Sequence, residues 1–201
     1  LACWLAQGAA LDRRRVDRTY GPHHRLWYGL GWLFVFRSLR RQLGMARVRA
    51  ALSGAAPIAP QVLEFLRSIG IPVREGYGMT ENTAVATVTP ADDVRTGTVG
   101  KPLPGSEVRI ADDGEILTRS DSTFLGYFKN PEATTATIVD GWLHTGDLCS
   151  MDQRGYCYVE GRLKDMIIRG GENIYPREIE ELLFAHPDIA EVAVVGIPDE
   201  K

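Results

Sequence analysis

Apolar residues in the first fifty positions recur at the spacing of an α-helix. Successive members are four, three and one position apart in the set Leu26, Leu30, Leu33 and Phe34. Arginines occupy later positions. The longest apolar run, residues 26–36, is about half as long as the roughly twenty residues that a membrane-spanning helix requires. The pattern therefore predicts a buried or interfacial helix rather than a transmembrane segment.

The pattern of residues 47–80 predicts a strand, a small-residue loop, a helix and a second strand. The helix is expected over 60–70, because Pro60 suits a first helical turn and Gly70 suits a helix end. Its buried face is predicted to comprise Val62, Leu63, Phe65, Leu66 and Ile69. Such an α/β unit usually presents its ligand-binding loops at the carboxyl ends of the strands.

Short alternating runs separated by turn residues follow, and they predict a small β-barrel or sandwich at about residues 85–160. A short helix is expected after Pro131. Beyond residue 161, the pattern predicts a strand in "DMIIRG", an amphipathic helix beginning at Pro176 and a buried strand in "IAEVAVVGI", residues 189–197.

Composition narrows the class of protein. Hydrophobic residues make up 44% of the chain, charged residues 24%, and the net charge is −3, which is typical of a soluble globular protein and gives no support to nucleic-acid binding. The three cysteines have neither CxxC nor zinc-ligand spacing, so we expect reduced thiols and a cytoplasmic location. The aromatic and arginine-rich first fifty residues also suit peripheral membrane contact, and no defined protein partner is indicated.

Five stretches are unusually dense in small and polar residues. They are "SGAAP" (53–57), "GYGMTE" (76–81), "GWLHTGD" (141–147), "GRLKD" (161–165) and "RGGENIYP" (169–176). Taken singly, each stretch is more often a strand end, a turn or a bend than a site. Their order and spacing, with "GEI" (114–116) and "GYFKNPEAT" between the second and the third, favour a single functional set.

This ordered set closely resembles the acyl- and aryl-CoA synthetases of the adenylate-forming (AMP-binding) superfamily, a group that includes insect luciferases and peptide-synthetase adenylation domains. The resemblance runs from about Val48 to the end of the chain. It implies an α/β fold: residues 1–163 as the C-terminal portion of the large domain, an α/β unit plus a small β-barrel, and residues 164–201 as the hinge and the start of an α+β lid domain. It also implies ATP-dependent activation of a carboxylic acid to an acyl-AMP, followed by transfer of the acyl group to coenzyme A.

The resemblance assigns nucleotide contacts residue by residue. Tyr77 would stack on adenine, Thr80 would donate its hydroxyl to the α-phosphate, and Glu81 would hold Mg²⁺. Asp147 would accept hydrogen bonds from both ribose hydroxyls, and Arg162 would reach the ribose or the phosphate. The other predicted nucleotide-binding residues are Ser53, Gly54, Ala55, Ala56, Gly76, Gly78 and Met79.

The resemblance also assigns the second half-reaction. Thr80 and Glu81 would share the catalytic role with Lys164, the hinge about which the lid rotates between the two half-reactions. Coenzyme A would pass Gly170, Gly171 and Glu172, where the two glycines leave room for its pantetheine arm.

Two elements of the resembling enzymes are absent from these 201 residues: the Ser/Thr/Gly-rich loop for the β- and γ-phosphates, and the lid lysine that assists adenylation. Because these elements are absent and the chain begins with Leu1 rather than methionine, we expect the 201 residues to be part of a longer enzyme and to be inactive by themselves. Residues 47–82 look most like long-chain fatty acyl-CoA synthetases, and residues 161–200 more like medium-chain or broad-range members. A fatty acid is therefore favoured, while an aryl or amino acid, or a nonenzymatic nucleotide-binding remnant, stays open.

Overall fold

The computed structural model describes residues 21–56, 58–169, 172–184, 186 and 188–197. They fall into two compact units, the first containing residues up to Gly78 together with 87–101, and the second containing 79–86 and the chain from Pro102 onward. The domain boundary proposed from the sequence, between residues 163 and 164, stays a prediction. No helix among the described residues is long and apolar enough to span a bilayer.

The predicted helix of the first fifty residues is confirmed in its described part. Helix α1 (Pro22–Gly31) continues through a π-helical turn (Trp32–Phe36) into α2 (Arg37–Gln42). Phe36 is buried, and its ring centroid lies 5.5 Å from that of Tyr28. The apolar stripe seen in the sequence lies on the other side, where all four of its members are exposed: Leu26, Leu30, Leu33 and Phe34.

The first unit contains the expected strand–helix–strand arrangement. Strand β1 (Ala51–Ser53) pairs in parallel with β2 (Val73–Tyr77), and helix α3 (Pro60–Ser68) connects them. Strands β3 (Thr87–Val88) and β4 (Lys101–Pro102) complete a sheet of order β1-β2-β3-β4. The core contains Phe36, Leu63, Ile69, Ile71 and Val73. The predicted helix face is wrong at Val62, which is 45% exposed because it lies to one side of the buried stripe.

The second unit is built on a five-stranded antiparallel sheet. Its strands are β5 (Ser106–Ile110), β6 (Glu115–Ser120), β7 (Ile138–Val139), β8 (Trp142–Met151) and β9 (Cys157–Arg162). The order is β5-β6-β8-β7, and β9 also pairs with the long strand β8. The buried side chains include Ile116, Leu117, Leu143, Leu148 and Tyr156. This sheet confirms the β-rich region, whereas its closure into a barrel stays a prediction.

Helix α4 (Pro131–Thr137) confirms the short helix expected after Pro131, and the Asn130 side chain caps it by accepting a hydrogen bond from the Ala133 amide. Cys149 and Cys157 are free thiols, as the sequence predicts, and both are buried, while Cys3 lies outside the described residues. Contact with the Cys157 thiol, together with burial, raises the pKa of the Cys149 thiol.

The end of the chain agrees with the sequence only in part. A 3₁₀ turn (Leu163–Asp165) leads to the antiparallel pair β10 (Ile167–Arg169) and β11 (Glu172–Ile174), and helix α5 (Pro176–Phe184) begins at the expected proline. The buried strand predicted in residues 189–197 is wrong. That segment forms no strand, and Val195 and Ile197 are 75% and 82% exposed. A strand is stabilised by pairing with a neighbour, and no described segment pairs with this one.

Candidate active site

The small-residue loop lies against strand β2 in the first unit. Ser53 ends β1, and a Cβ placed on Gly54 would lie 2.9 Å from the carbonyl oxygen of Gly76. A Cβ on Gly76 would in turn lie 3.0 Å from the carbonyl oxygen of Thr87. The two glycines therefore permit a close approach of backbones at the carboxyl ends of β1 and β2. Tyr77, the predicted adenine contact, is the last residue of β2 and is half-buried.

Within this loop, the backbone of Ala55 has a strained conformation. Its φ is 68°, in the left-handed region where a Cβ costs roughly 1–2 kcal/mol. We expect Ala55→Gly in the full-length protein to raise the free energy of unfolding by about 0.5–1 kcal/mol, since relief of strain exceeds the extra entropy of the unfolded glycine. Urea denaturation measures the change. Ala56→Gly, at a position outside the left-handed region, should instead destabilise, and equal losses in both variants would contradict the strain.

Thr80 and Glu81 lie on a short 3₁₀ helix in the second unit, Thr80–Asn82. The buried Asn82 side chain accepts a hydrogen bond from the Met79 amide at 2.8 Å, and its own amide nitrogen lies 3.4 Å from the Thr118 hydroxyl. Asn82 thereby fastens the turn to strand β6, while the Thr80 side chain is exposed and accessible to a ligand.

Glu81 is held by the segment that precedes helix α4. The Tyr127 hydroxyl donates to Oε1 of Glu81 at 2.7 Å, and the Phe124 amide donates to the Glu81 carbonyl at 2.8 Å. The Tyr127 ring packs edge-on against Phe124, with centroids 4.8 Å apart. The carboxylate that accepts this hydrogen bond raises the pKa of the Tyr127 phenol. Sequence reasoning missed this contact, although "GYFKNPEAT" marked the segment that carries it.

The environment of Glu81 is compatible with the predicted Mg²⁺. Among the described residues, no group of three or more His, Cys, Asp or Glu side chains could hold a metal ion. A magnesium ion usually takes only one or two protein carboxylates and completes its shell with phosphates and water. With Oε1 of Glu81 occupied by Tyr127, the second carboxylate oxygen is the one that would bind the ion.

Asp147 and Arg162, both predicted at the ribose, are brought together by the pairing of β8 with β9. They are direct cross-strand partners, and Nε of Arg162 lies 3.5 Å from Oδ1 of Asp147. The Asp147 side chain is 18% exposed and that of Arg162 is 62% exposed. Asp147 is thus a largely sheltered acceptor beside a more accessible cation.

The strand residues just before Asp147 are fastened to strand β6. Both oxygens of the buried Glu115 carboxylate accept hydrogen bonds at 2.7 Å, Oε1 from the Gly146 amide and Oε2 from Nδ1 of His144. The Thr145 hydroxyl donates to the Ile116 carbonyl at 2.8 Å. Glu115 lies in the "GEI" stretch of the resembling set but was not among the predicted site residues. Its only local signal is the Gly-Glu-Ile that follows a turn.

The predicted hinge and coenzyme A residues follow Arg162 in the sequence and take part in none of the hydrogen bonds described above. Lys164 is exposed on the 3₁₀ turn that follows β9. Glu172 is exposed at the start of β11, opposite Arg169. Gly170 and Gly171 lie outside the described residues. Their assigned roles stay predictions.

Two family models match the chain. The model of the AMP-binding enzyme covers residues 17–128, more than half of the 201 residues, and that of the AMP-binding enzyme C-terminal domain covers residues 178–201. These matches agree with the α/β architecture and with the order of the motifs along the chain.

Named relatives and solved structures agree with these models. The chain is 44% identical to the long-chain-fatty-acid–CoA ligase FadD15 of Mycobacterium bovis, over 81% of this chain and 27% of that protein. It is 45% identical to the 2-succinylbenzoate–CoA ligase of Listeria monocytogenes, over 77% of this chain and 33% of that protein. It also resembles the structure of O-succinylbenzoate coenzyme A synthetase (MenE) from Bacillus subtilis in complex with ATP and a magnesium ion, with a TM-score of 0.69 and 38% identity over 76% of this chain and 34% of that one.

The chain thus spans only about a quarter to a third of the length of these relatives. Its ordered motifs, its mixed α/β fold and the family model that covers more than half of its residues lead to one conclusion. The chain belongs to the AMP-binding enzyme family.

Proposed function

We propose that the full-length protein is an acid–thiol ligase that activates a fatty acid with ATP and transfers the acyl group to coenzyme A. The observation that carries this proposal is the cross-strand pair of Asp147 and Arg162, which lie 3.5 Å apart in the motifs "GWLHTGD" and "GRLKD". A sheltered carboxylate beside an accessible guanidinium suits a ribose diol next to a phosphate.

The proposed reaction has two steps. In the first, a carboxylate oxygen of the acid attacks the α-phosphorus of ATP, the bond to the β-phosphate breaks, and pyrophosphate leaves. In the second, the thiol of coenzyme A loses its proton and attacks the acyl carbon, and the bond to AMP breaks. Thr80 would hold the α-phosphate and Asp147 the ribose, while Glu81 would hold Mg²⁺, which neutralises developing charge on the phosphates.

The fatty acid is the finer part of the proposal. It is supported by the 44% identity to a protein named as a long-chain-fatty-acid–CoA ligase. A competing substrate, an aryl dicarboxylic acid, is favoured by the 45% identity to a 2-succinylbenzoate–CoA ligase. An amino acid is disfavoured by Ala55-Ala56 and Met79, where amino-acid-activating domains typically carry Gly-Glu and Pro.

An acid-dependent ATP–pyrophosphate exchange assay on the full-length protein separates these substrates. The panel should contain saturated fatty acids of graded length, 2-succinylbenzoate, benzoate and several amino acids. We expect exchange with fatty acids, with a maximum at one range of chain length, and acyl-CoA formation when coenzyme A is added. A maximum with 2-succinylbenzoate would replace the substrate and keep the ligase. Exchange with no acid, despite measurable AMP binding, would favour a nonenzymatic nucleotide-binding protein.

A further inference from the structure

Asp147, the predicted ribose acceptor, follows residues 144–146 of strand β8, and each of these three residues is hydrogen-bonded to strand β6. Gly146 has a φ of 72°, a left-handed conformation inside a strand. The pairing of β6 with β8 shifts register between Glu115 and Leu117, and the pairing of β8 with β9 shifts between Leu148 and Cys149. The hydrogen bonds of this irregular stretch involve His144, Thr145, Gly146 and the Asp147 amide, which donates to the Thr145 hydroxyl at 3.1 Å.

Glu115 supplies two of these contacts from one buried carboxylate. Its side chain is only 8% exposed. Burial of a carboxylate is unfavourable unless its oxygens are hydrogen-bonded, and both oxygens here accept from the stretch that precedes Asp147. The Gly146 amide lies one residue before Asp147, so its bond to Glu115 limits the path of the backbone that carries the predicted ribose acceptor.

We propose that Glu115 is a positioning residue for nucleotide binding: by fixing Gly146 and His144, it sets the direction in which the Asp147 carboxylate points. The inference rests on the proposed function, in which Asp147 accepts the two ribose hydroxyls. A diol that uses both oxygens of one carboxylate requires a fixed orientation, and small displacements of such groups are costly to binding and catalysis. Glu115 itself need not touch the nucleotide.

A merely structural role would make a different prediction. If Glu115 only stabilised the sheet, its loss would weaken every ligand alike and lower the melting temperature. If Glu115 acts through Asp147, its loss should weaken only those ligands that have ribose hydroxyls. AMP and 2′,3′-dideoxy-AMP differ in those hydroxyls alone, so the ratio of their dissociation constants isolates the contact.

The experiment is calorimetric titration of the full-length protein with both nucleotides. Wild type should bind AMP at least about tenfold more tightly than dideoxy-AMP, and Asp147→Ala should abolish the difference. Glu115→Met, which conserves volume and accepts no comparable hydrogen bond, should weaken AMP about tenfold and change dideoxy-AMP less than about twofold. Glu115→Gln can still accept from Gly146 and donate to His144, so AMP affinity should stay within about threefold of wild type.

Two further variants complete the set. Glu107→Gln is the matched control, because Glu107 lies on the neighbouring strand β5 in an exposed ion pair with Arg119, and it should change neither nucleotide. Glu115→Asp has a side chain shorter by one methylene and should reach only one donor. This variant retains the charge, so it provides a second measurement if Glu115→Met does not fold. Its affinity for AMP should fall about three- to tenfold, while its affinity for dideoxy-AMP should not change.

The double variant Glu115→Met/Asp147→Ala should bind AMP no more weakly than Asp147→Ala alone, because residues that act through one another are non-additive. If Asp147→Ala leaves AMP binding unchanged, the proposed function fails at its ribose contact. If Asp147→Ala acts as expected, any of three results overturns the inference about Glu115 alone. Glu115→Met and Glu115→Asp could weaken both nucleotides equally, these two variants could weaken neither nucleotide, or the double variant could bind AMP more weakly than Asp147→Ala.

Discussion

Glu81→Gln in the full-length protein is expected to lower the rate of acyl-AMP formation by about a hundredfold and to raise the Mg²⁺ concentration required for half-maximal rate. The loss of one group that stabilises developing charge in a transition state typically costs on the order of 3 kcal/mol, and Glu81 would act on the phosphates through the Mg²⁺ that it holds. Glutamine keeps an oxygen that can accept from the Tyr127 hydroxyl, now 2.7 Å from Oε1 of Glu81, so the local fold should survive. A Mg²⁺ titration of pyrophosphate release measures both effects.

Two neighbouring substitutions make the result specific to the metal. Tyr127→Phe removes the donor to Glu81 but leaves the carboxylate, so we expect a loss of less than about tenfold, the scale of one hydrogen bond to a charged group. Glu132→Gln removes an exposed carboxylate from the first turn of helix α4 and should leave the Mg²⁺ dependence unchanged. A Glu81→Gln enzyme with a lower rate but normal Mg²⁺ dependence would exclude Glu81 as the metal ligand.

Local patterns were sufficient where the physics is local. Apolar spacing, a starting proline and a terminal glycine predicted the β1–α3–β2 unit, because these signals act within a few residues of one another. Val62 was assigned wrongly to the buried face, since spacing alone does not fix how wide a stripe the neighbouring sheet covers.

Periodicity failed where structure depends on a distant partner. Residues 189–197 have the apolar character of a buried strand, yet the segment has no paired neighbour in the described part of the chain. The stripe that contains Leu26 and Phe34 has the spacing of a helix face, but the buried contact is made instead by Tyr28 and Phe36. The π-helical turn that precedes Arg37 has no signal in the sequence pattern.

In the candidate site, too, the motifs indicated individual residues but not the contacts between residues that are distant in the sequence. Asp147 and Arg162 were selected because their motifs, "GWLHTGD" and "GRLKD", resemble those of the adenylate-forming enzymes, and the strand register places the two residues opposite each other. Tyr127 lies 46 residues from Glu81, and Glu115 lies 31 residues from Gly146. The stretches "GYFKNPEAT" and "GEI" contain these two residues, but a tyrosine in a loop and a glutamate after a turn are common and do not by themselves indicate a contact. Only the sheet and its connections reveal what they contact.

Lys164→Pro in the full-length protein is expected to abolish most thioester formation while leaving acyl-AMP formation within about threefold of wild type. Lys164 is exposed at the centre of the 3₁₀ turn between β9 and β10, where the lid is proposed to rotate. A proline fixes φ at this position and restricts the residue before it, so a rotation that changes φ of residue 164 is blocked. If the second half-reaction requires that rotation, its rate should fall by at least about a hundredfold, a barrier increase of roughly 2.7 kcal/mol.

The two half-reactions are measured separately, as pyrophosphate release without coenzyme A and as acyl transfer from preformed acyl-AMP. Lys164→Ala is the matched control, because it removes the same side chain and leaves the backbone free to rotate. It should retain both half-reactions within about threefold if the lysine acts as a hinge. Equal losses in the alanine and proline variants would mean that the ammonium group itself contacts a ligand. Equal losses of both half-reactions in the proline variant alone, with a lowered melting temperature, would assign position 164 to folding and remove it from the hinge.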